Sequence, residues 1–223
     1  MIQRIVLILL GLALYTPSSY AFDISRDAHG RTPLHHAVDN RDIAQTLQLL
    51  KEGYNPDVTD HRGLTPLHLC AWQDDTQLAQ ILLTQNANIE SRDVQGRTPL
   101  FMAAFVNNMP LAQTLAQHGA SLQTRDGDGR TLLHTSARSG KRFDKENAMI
   151  TWLLEQHLDI NAKDHIGNTP LIIATSNQQI TRVTSLLQQG AKINIRNING
   201  ETALDIARKL QNTALITVLK MHQ

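Results

Sequence analysis

The chain has 223 residues, 41% of them hydrophobic and only 4% aromatic, which suffices for one or two domains with a core of aliphatic side chains. Its 21 Lys and Arg residues balance its 20 Asp and Glu residues, so the chain lacks the strong positive field that nucleic-acid binding usually needs. We therefore expect no nucleic-acid partner.

The first 21 residues have the pattern of a signal peptide. Arg4 supplies a positive charge, residues 5–14 are apolar, and Pro17 interrupts the apolar run. Small side chains at Ser19 and Ala21 fit the −3 and −1 positions of a cleavage site, so we predict cleavage after Ala21. About ten apolar residues are too few for a comfortable membrane span, which favours a cleaved signal over the alternative of an uncleaved anchor. The mature domain would be residues 22–223, without a membrane attachment.

The single cysteine and the asparagines bear on the compartment. Cys70 cannot form a disulfide within the chain, so the fold does not depend on an oxidising environment. No asparagine lies in an Asn-x-Ser/Thr glycosylation site, which fits a bacterial periplasm better than a eukaryotic secretory pathway. We predict a periplasmic protein, with secretion beyond the cell as the alternative because one signal serves both routes.

One phrase recurs six times after the signal segment. Its first copy runs from Asp27 through Gly30, Thr32 and Pro33 to Leu34. A sequence period of about 20–50 residues is the signature of a repeat architecture, in which each unit packs only on its neighbours. The glycine of the phrase returns after 33, 33, 33, 38 and 33 residues, at Gly30, Gly63, Gly96, Gly129, Gly167 and Gly200.

Each recurring residue has a structural role that its chemistry explains. The glycine permits a positive φ in a tight turn, the threonine can cap a helix, and proline suits the first helical position. The first helix of each unit should bury one recurrent leucine: Leu34, Leu67, Leu100, Leu133, Leu171 or Leu204. A second helix should bury another: Leu49, Leu82, Leu115, Leu153, Leu186 or Leu219. It should end at residues that tolerate a left-handed backbone, namely Gly53, Asn86, Gly119, His157 and Gly190.

The pattern Asp-x-x-Gly-x-Thr-Pro-Leu-His-x-Ala, with a second helix that ends in Leu-Leu-x-x-Gly-Ala, resembles the ankyrin repeat over about residues 27–221. The resemblance implies an all-α fold, an ankyrin-repeat solenoid of six helix-turn-helix units joined by β-hairpin-like turns. The approximate units are 27–59, 60–92, 93–125, 126–163, 164–196 and 197–223. Departures are local: proline is replaced by Leu132 and Ala203, and the motif histidine by Phe101, Ile172 and Asp205.

No constellation of catalytic or metal-binding residues stands out. The resemblance implies that His35, His68 and His134 are hydrogen-bonding links between repeats, and stacked helices roughly 8–10 Å apart hold such residues too far apart for a shared metal ion. Cys70 takes the place of a small buried alanine and is interpreted as a core residue. No nucleophile motif, phosphate loop or dinucleotide fingerprint is present. We therefore expect no enzyme, no cofactor and no metal site.

The resemblance implies that partners bind to the turn tips and to the ends of the first helices, which line a concave surface. Trp72 and Phe105 lie one period apart in a chain poor in aromatics, and we interpret them as interface anchors. The alternative is that both rings fold down and fill gaps between units. The predicted partner-binding residues are Arg62, Leu64, Trp72, Gln73, Gln95, Arg97, Phe105, Val106, Arg130, Arg138 and Phe143.

Unit four is longer than the other units because of an insertion around residues 140–147, between its two helices. The insertion is charged and has Phe143 in its middle. It either extends the binding surface or is a tolerated lengthening of a loop, which costs little free energy.

Together these features predict a protein-binding module that acts as a monomer in the periplasm. It would hold, protect or inhibit another exported protein, for example as an immunity protein for a toxin or as a support for an enzyme. The alternative is a secreted effector that binds a host protein through the same concave surface.

Overall fold

A computed structural model describes residues 25–138 and 147–222. Within these two stretches all regular structure is helical, which confirms the predicted all-α class. The signal peptide predicted to be cleaved after Ala21, and Phe143 with most of the insertion, lie outside the described residues. The helices are α1 (Pro33–Asp39), α2 (Ile43–Lys51), α3 (Pro66–Gln73), α4 (Thr76–Thr84), α5 (Pro99–Phe105), α6 (Met109–Gln117), α7 (Leu132–Arg138), α8 (Ala148–Glu155), α9 (Pro170–Ser176), α10 (Ile180–Gln188), α11 (Ala203–Lys209) and α12 (Thr213–Lys220).

Four of the first helices begin with the threonine cap that the sequence predicts. Thr65 precedes α3 in extended conformation, and its side chain accepts a hydrogen bond from the backbone N–H of His68. Thr98, Thr169 and Thr202 cap their helices in the same way. Such a cap satisfies one of the unpaired amides of a helix N-terminus and stabilises the helix by about 1 kcal/mol.

Second helices end in a left-handed turn. The φ angles are +93° at Gly53, +92° at Gly119 and +89° at Gly190, while Asn86 and His157 adopt +60° and +61°. All five residues predicted to end a second helix therefore take the conformation that was expected of them.

The helices form two rows along the chain. The odd-numbered helices are the first helices of the units, and they pack side by side in order from α1 to α11. Each even-numbered helix packs against the first helix of its own unit. The recurrent leucines of both helices are all buried in this arrangement, as predicted. Each such leucine contributes roughly 1.5–3 kcal/mol through the apolar surface it removes from water.

The turns between units are tied to one another by backbone hydrogen bonds. In the second turn Oδ1 of Asp60 accepts hydrogen bonds from the N–H groups of Arg62 and Leu64, at 2.8 and 2.9 Å. The carbonyl of Arg62 then accepts a hydrogen bond of 3.0 Å from the N–H of Val94 in the third turn. Equivalent links join the other neighbouring turns: His61 to His29, Gly127 to Gln95, His165 to Asp128, and Ile198 to Ile166. Neighbouring tips are thus held in register along one edge of the molecule.

Among residues 25–138 and 147–222 we find no helix with the length and apolar character needed to cross a membrane.

Candidate binding surface

Trp72 and Phe105 form a stacked pair at the ends of α3 and α5. Their ring centroids lie 6.1 Å apart, and the ring planes are inclined by 17°. Trp72 is 43% exposed and Phe105 is partly exposed, so neither ring is enclosed between the units. An offset-stacked pair is a preferred aromatic geometry, and here part of it stays accessible to solvent. The alternative that both rings are interior is therefore wrong.

These two rings belong to a row of equivalent positions, one at or next to the last residue of each first helix. We call it the helix-end row: Asp39, Trp72, Phe105, Arg138, Ser176 and Lys209. Because the first helices pack side by side, residues that are neighbours in this row lie on adjacent helices. The row therefore runs along one side of the molecule from unit one to unit six.

The two ends of the helix-end row carry charges that the chain neutralises internally. Nη1 of Arg31 lies 3.0 Å from Oδ2 of Asp39 in unit one. The reversed pair, Glu201 and Lys209, occupies the equivalent positions of unit six. In both units the residue that follows the recurring glycine reaches over to the end of the first helix. The charged ends of the row therefore present little net charge to a partner.

The four arginines among the candidate residues divide into two that pair with carboxylates and two that do not. Arg97 pairs with the buried carboxylate of Asp93 at 2.6 Å and also donates to Oε1 of Gln95 at 2.7 Å. Arg130 pairs with Asp128 at 2.7 Å. Arg62 and Arg138 are exposed, and in the part of the chain that the structure describes neither guanidinium has a carboxylate partner.

The structure corrects the expected exposure of three candidate residues. Leu64 and Val106 are only 4% and 5% exposed, because both side chains turn into the core and not toward the tips. The amide of Gln73 donates to the carboxylate of Asp39 at 2.5 Å, so this side chain joins units one and two. We therefore remove Leu64 and Val106 from the surface that a partner can touch. Gln95 remains exposed at its tip.

The motif histidines link neighbouring units, as the sequence predicts. Nε2 of His68 donates to the carbonyl of Arg97 in the next turn at 3.0 Å, while Nδ1 accepts from the N–H of Thr65 at 3.2 Å. His35 and His134 make the same contacts, to the carbonyls of Leu64 and Asn168. Burial lowers the pKa of all three rings. These rings are neutral structural links and are not free to act as acids, bases or ligands.

No metal site or reactive thiol emerges from the described residues. Among them no three His, Cys, Asp or Glu side chains come together in a way that could hold a metal ion. Cys70 is fully buried, and burial raises the pKa of its thiol far above the usual range. A thiol of this kind is a poor nucleophile because only the thiolate reacts readily.

Sequence reasoning missed a second set of links between units. Nη1 of Arg92 donates to the carbonyl of Gly96 within its own turn and to the carbonyl of Arg125 in the next unit, both at 2.7 Å. Arg125 repeats this arrangement with Gly129 and Lys163. The sequence does contain a signal for these links, because a basic residue recurs just before the first residue of the turn, an aspartate or, in unit six, an asparagine: Arg26, Arg92, Arg125, Lys163 and Arg196.

A second aromatic feature, also missed, lies on the side of the second helices. Trp152 of α8 is partly exposed in a shallow groove beside α6. The groove is lined by Gln113, Ala116, Gln117, Leu122 and Gln156. It is uncharged, and it lies on the helix row that does not carry the Trp72–Phe105 pair.

Comparison with known proteins agrees with this geometry. A family model described as ankyrin repeats (3 copies) matches residues 45–126, 89–164, 110–197 and 143–223, which together cover most of the chain. No curated protein matches the chain significantly.

Proposed function

The chain belongs to the ankyrin-repeat family and is a protein-interaction module, and from this premise we propose that it binds another exported protein in the periplasm. It holds, protects or inhibits that protein, in the manner of an immunity protein or of a support for an exported enzyme. It works as a monomer and by contact alone, without a chemical step of its own.

The stacked Trp72–Phe105 pair is the observation that carries this proposal. Large aromatic side chains dominate the binding energy of protein interfaces, and a chain that is only 4% aromatic keeps two of them in contact at the surface. An apolar face of this kind costs solvation free energy in the unbound protein. It is useful to the protein when another polypeptide covers it.

The compartment is supported by the N-terminal sequence. Residues 1–21 have the charge, apolar run and small residues of an export signal, and the single cysteine leaves the fold independent of redox conditions. A partner in the periplasm would itself carry an export signal, so an exported toxin or enzyme is the class of protein to look for.

The test of the binding surface is the double substitution Trp72→Ala with Phe105→Ala. We expect the double variant to bind its periplasmic partner at least about thirty-fold more weakly, because truncation of central aromatic anchors costs roughly 2 kcal/mol or more. Tagged wild-type protein captures the partner from a periplasmic extract, and a titration with the purified partner gives the two affinities. Equal affinities for wild type and the double variant would overturn the proposal.

A matched control removes an equally exposed apolar side chain elsewhere. Leu47 is 46% exposed and lies on α2, in the row of second helices. Leu47→Ala should leave the affinity unchanged, and circular dichroism should show the same helix content for all variants. A loss of affinity with Leu47→Ala that equals the loss in the double variant would mean that the effect is not specific to the aromatic pair.

The compartment has a separate test. We expect the mature protein to begin at Phe22 and to be released with the periplasmic fraction, which intact-mass measurement and cell fractionation can check. Recovery mainly from the culture medium would instead support the secreted effector. Recovery in the membrane with Met1 retained would contradict cleavage.

A further inference from the structure

We propose that the surface centred on Trp72 and Phe105 is specific for an extended acidic segment of the partner. An apolar or aromatic side chain of that segment lies on the stacked rings, and a carboxylate that follows it pairs with Arg138. This inference rests on the proposed protein-binding function and narrows it to one chemical class of partner segment.

The first step concerns the shape of the apolar face. The two rings, with centroids 6.1 Å apart and planes inclined by 17°, form one stacked aromatic pair, here called the platform, that spans α3 and α5. Trp72 keeps 43% of its surface accessible to solvent. A partly exposed aromatic pair of this size suits one large apolar side chain, and an edge-to-face or offset contact with an aromatic adds to the burial energy.

The second step concerns the charge beside this platform. Arg138 follows Phe105 in the helix-end row and lies on α7, which packs directly against α5. In units one and six the charge at this position is neutralised by the residue after the turn glycine. In unit four that residue is Arg130, which has the same sign as Arg138 and pairs with Asp128. In unit four the residue after the turn glycine therefore cannot neutralise Arg138, as its counterparts neutralise the row residues of units one and six.

Arg62 adds a second exposed positive charge at the tip of unit two, on the unit that also carries Trp72. Its backbone carbonyl holds the third turn, but among the residues described its side chain has no carboxylate partner. Arg62 and Arg138 are thus exposed guanidinium groups of units two and four, and Phe105 lies in the unit between them. Electrostatic complementarity of this kind sets the specificity and the association rate of an interface.

Spacing fixes how the segment would be arranged. Adjacent packed helices lie roughly 8–10 Å apart, and an extended chain advances about 3.3 Å per residue. A side chain on the platform and a carboxylate at Arg138 would therefore be separated by roughly three residues. We expect an acidic residue two to four positions from the apolar one.

Single-stranded nucleic acid is the other class of molecule that uses aromatic stacking next to arginine. The balanced net charge of the chain and its membership of a protein-binding family favour the acidic polypeptide. A single-stranded oligonucleotide is therefore included as a competitor in the test.

The experiment measures the binding of the purified mature chain to fluorescent peptides of 15 residues, a length chosen to be about that needed to cross several units. Each peptide carries one central phenylalanine and two further variable residues, which lie two to four positions from the phenylalanine. The variable residues are both glutamate in the first set of peptides, both glutamine in the second and both lysine in the third. We expect the glutamate peptides to bind at least about fivefold more tightly than the glutamine peptides, and the lysine peptides to bind least. The preference should weaken as salt is raised, because exposed charges are screened.

Substitution of Arg138 separates charge recognition from apolar binding. Arg138→Glu should abolish or reverse the preference for glutamate peptides and leave binding of the glutamine peptides unchanged. The control Lys192→Glu makes the same change in net charge at an exposed residue away from the row, and it should keep the preference. The double substitution Trp72→Ala with Phe105→Ala should weaken the binding of all peptides.

The outcomes distinguish this inference from the proposed function. Equal binding of all peptides, with loss in the aromatic double variant, would overturn the acidic specificity and keep the protein-binding surface. A glutamate preference that survives Arg138→Glu would also overturn it. Displacement of the peptide by an equimolar oligonucleotide would overturn the inference that the ligand of this surface is a polypeptide. Failure of the proposed function would instead appear as capture of a periplasmic partner that the aromatic double variant binds unchanged.

Discussion

The substitution Gly63→Ala should destabilise the folded chain by at least about 3 kcal/mol. Gly63 has a φ of +73°, and an L-residue in this left-handed region costs roughly 1–2 kcal/mol by itself. An added Cβ would also lie 2.9 Å from the backbone nitrogen of Val94 and 3.0 Å from Cα of Asp93. Both atoms belong to the backbone of the next turn and cannot rotate away. The third turn must therefore shift, which strains the hydrogen bond from Val94 to Arg62.

Gly200 provides the matched control for this experiment. It occupies the same place in the last turn with a φ of +75°, but a Cβ there would meet nothing within 4 Å. Gly200→Ala should therefore cost only the backbone strain, about 1–2 kcal/mol. Urea denaturation of both variants with the wild type gives the difference. Equal losses at the two sites would show that the close approach of neighbouring turns adds nothing to stability.

The structural features that all units share were predictable from the sequence. The glycine of the turn, the threonine cap and the buried leucines recur because each unit has the same turn to make and the same neighbour to cover. Periodicity repeats the signal six times, so a departure in one unit does not hide it. Leu132 in place of proline, for example, leaves α7 intact.

The orientation of individual surface side chains was not predictable in this way. Leu64 follows the turn glycine, where unit one has Arg31 and unit three has Arg97. Arg31 and Arg97 extend to carboxylates, whereas Leu64 turns inward because burial of an aliphatic side chain is favourable. Position in the repeat gives the backbone location, but the side-chain chemistry decides which way the residue points.

The partners of the recurring arginines were hidden for a different reason. In the sequence Arg92 and Arg125 each stand beside an aspartate, and nothing there marks a partner in the next unit. Their actual acceptors are backbone carbonyls one unit further along the chain. Every residue carries a carbonyl, so no sequence pattern marks which of them accepts.

We expect the linking histidines to make the stability of the solenoid sensitive to pH between 7 and 5. Nε2 of each ring donates to a carbonyl of the next unit, and Nδ1 accepts from a threonine N–H. Protonation puts a hydrogen on Nδ1, so that two N–H groups face each other. Burial also lowers the pKa of His35, His68 and His134, since a charged ring loses solvation inside the protein.

The sign of the pH effect follows from proton linkage. With a lowered pKa in the folded state, the unfolded chain binds more protons below its ordinary histidine pKa of about 6.5, so stability falls as the pH drops through that value. A ring that stays neutral down to pH 5 loses at most about 2 kcal/mol, which gives at most about 6 kcal/mol for three rings. We expect urea midpoints to decrease from pH 7 to pH 5. The lowered carboxylate pKa values of Asp27, Glu201 and Asp205 act only at lower pH.

Unit three contains the natural control for this effect, because buried Phe101 takes the place of the histidine there. His134→Phe imitates it and leaves the carbonyl of Asn168 without its ring donor. The variant should be less stable than wild type at pH 7 by about 1–3 kcal/mol, since a buried acceptor loses its partner. It should nevertheless lose about a third less stability between pH 7 and pH 5, because one of three linked rings is gone. If His134→Phe and wild type lost the same stability between pH 7 and pH 5, the pH dependence would come from the exposed histidines and not from the buried ones.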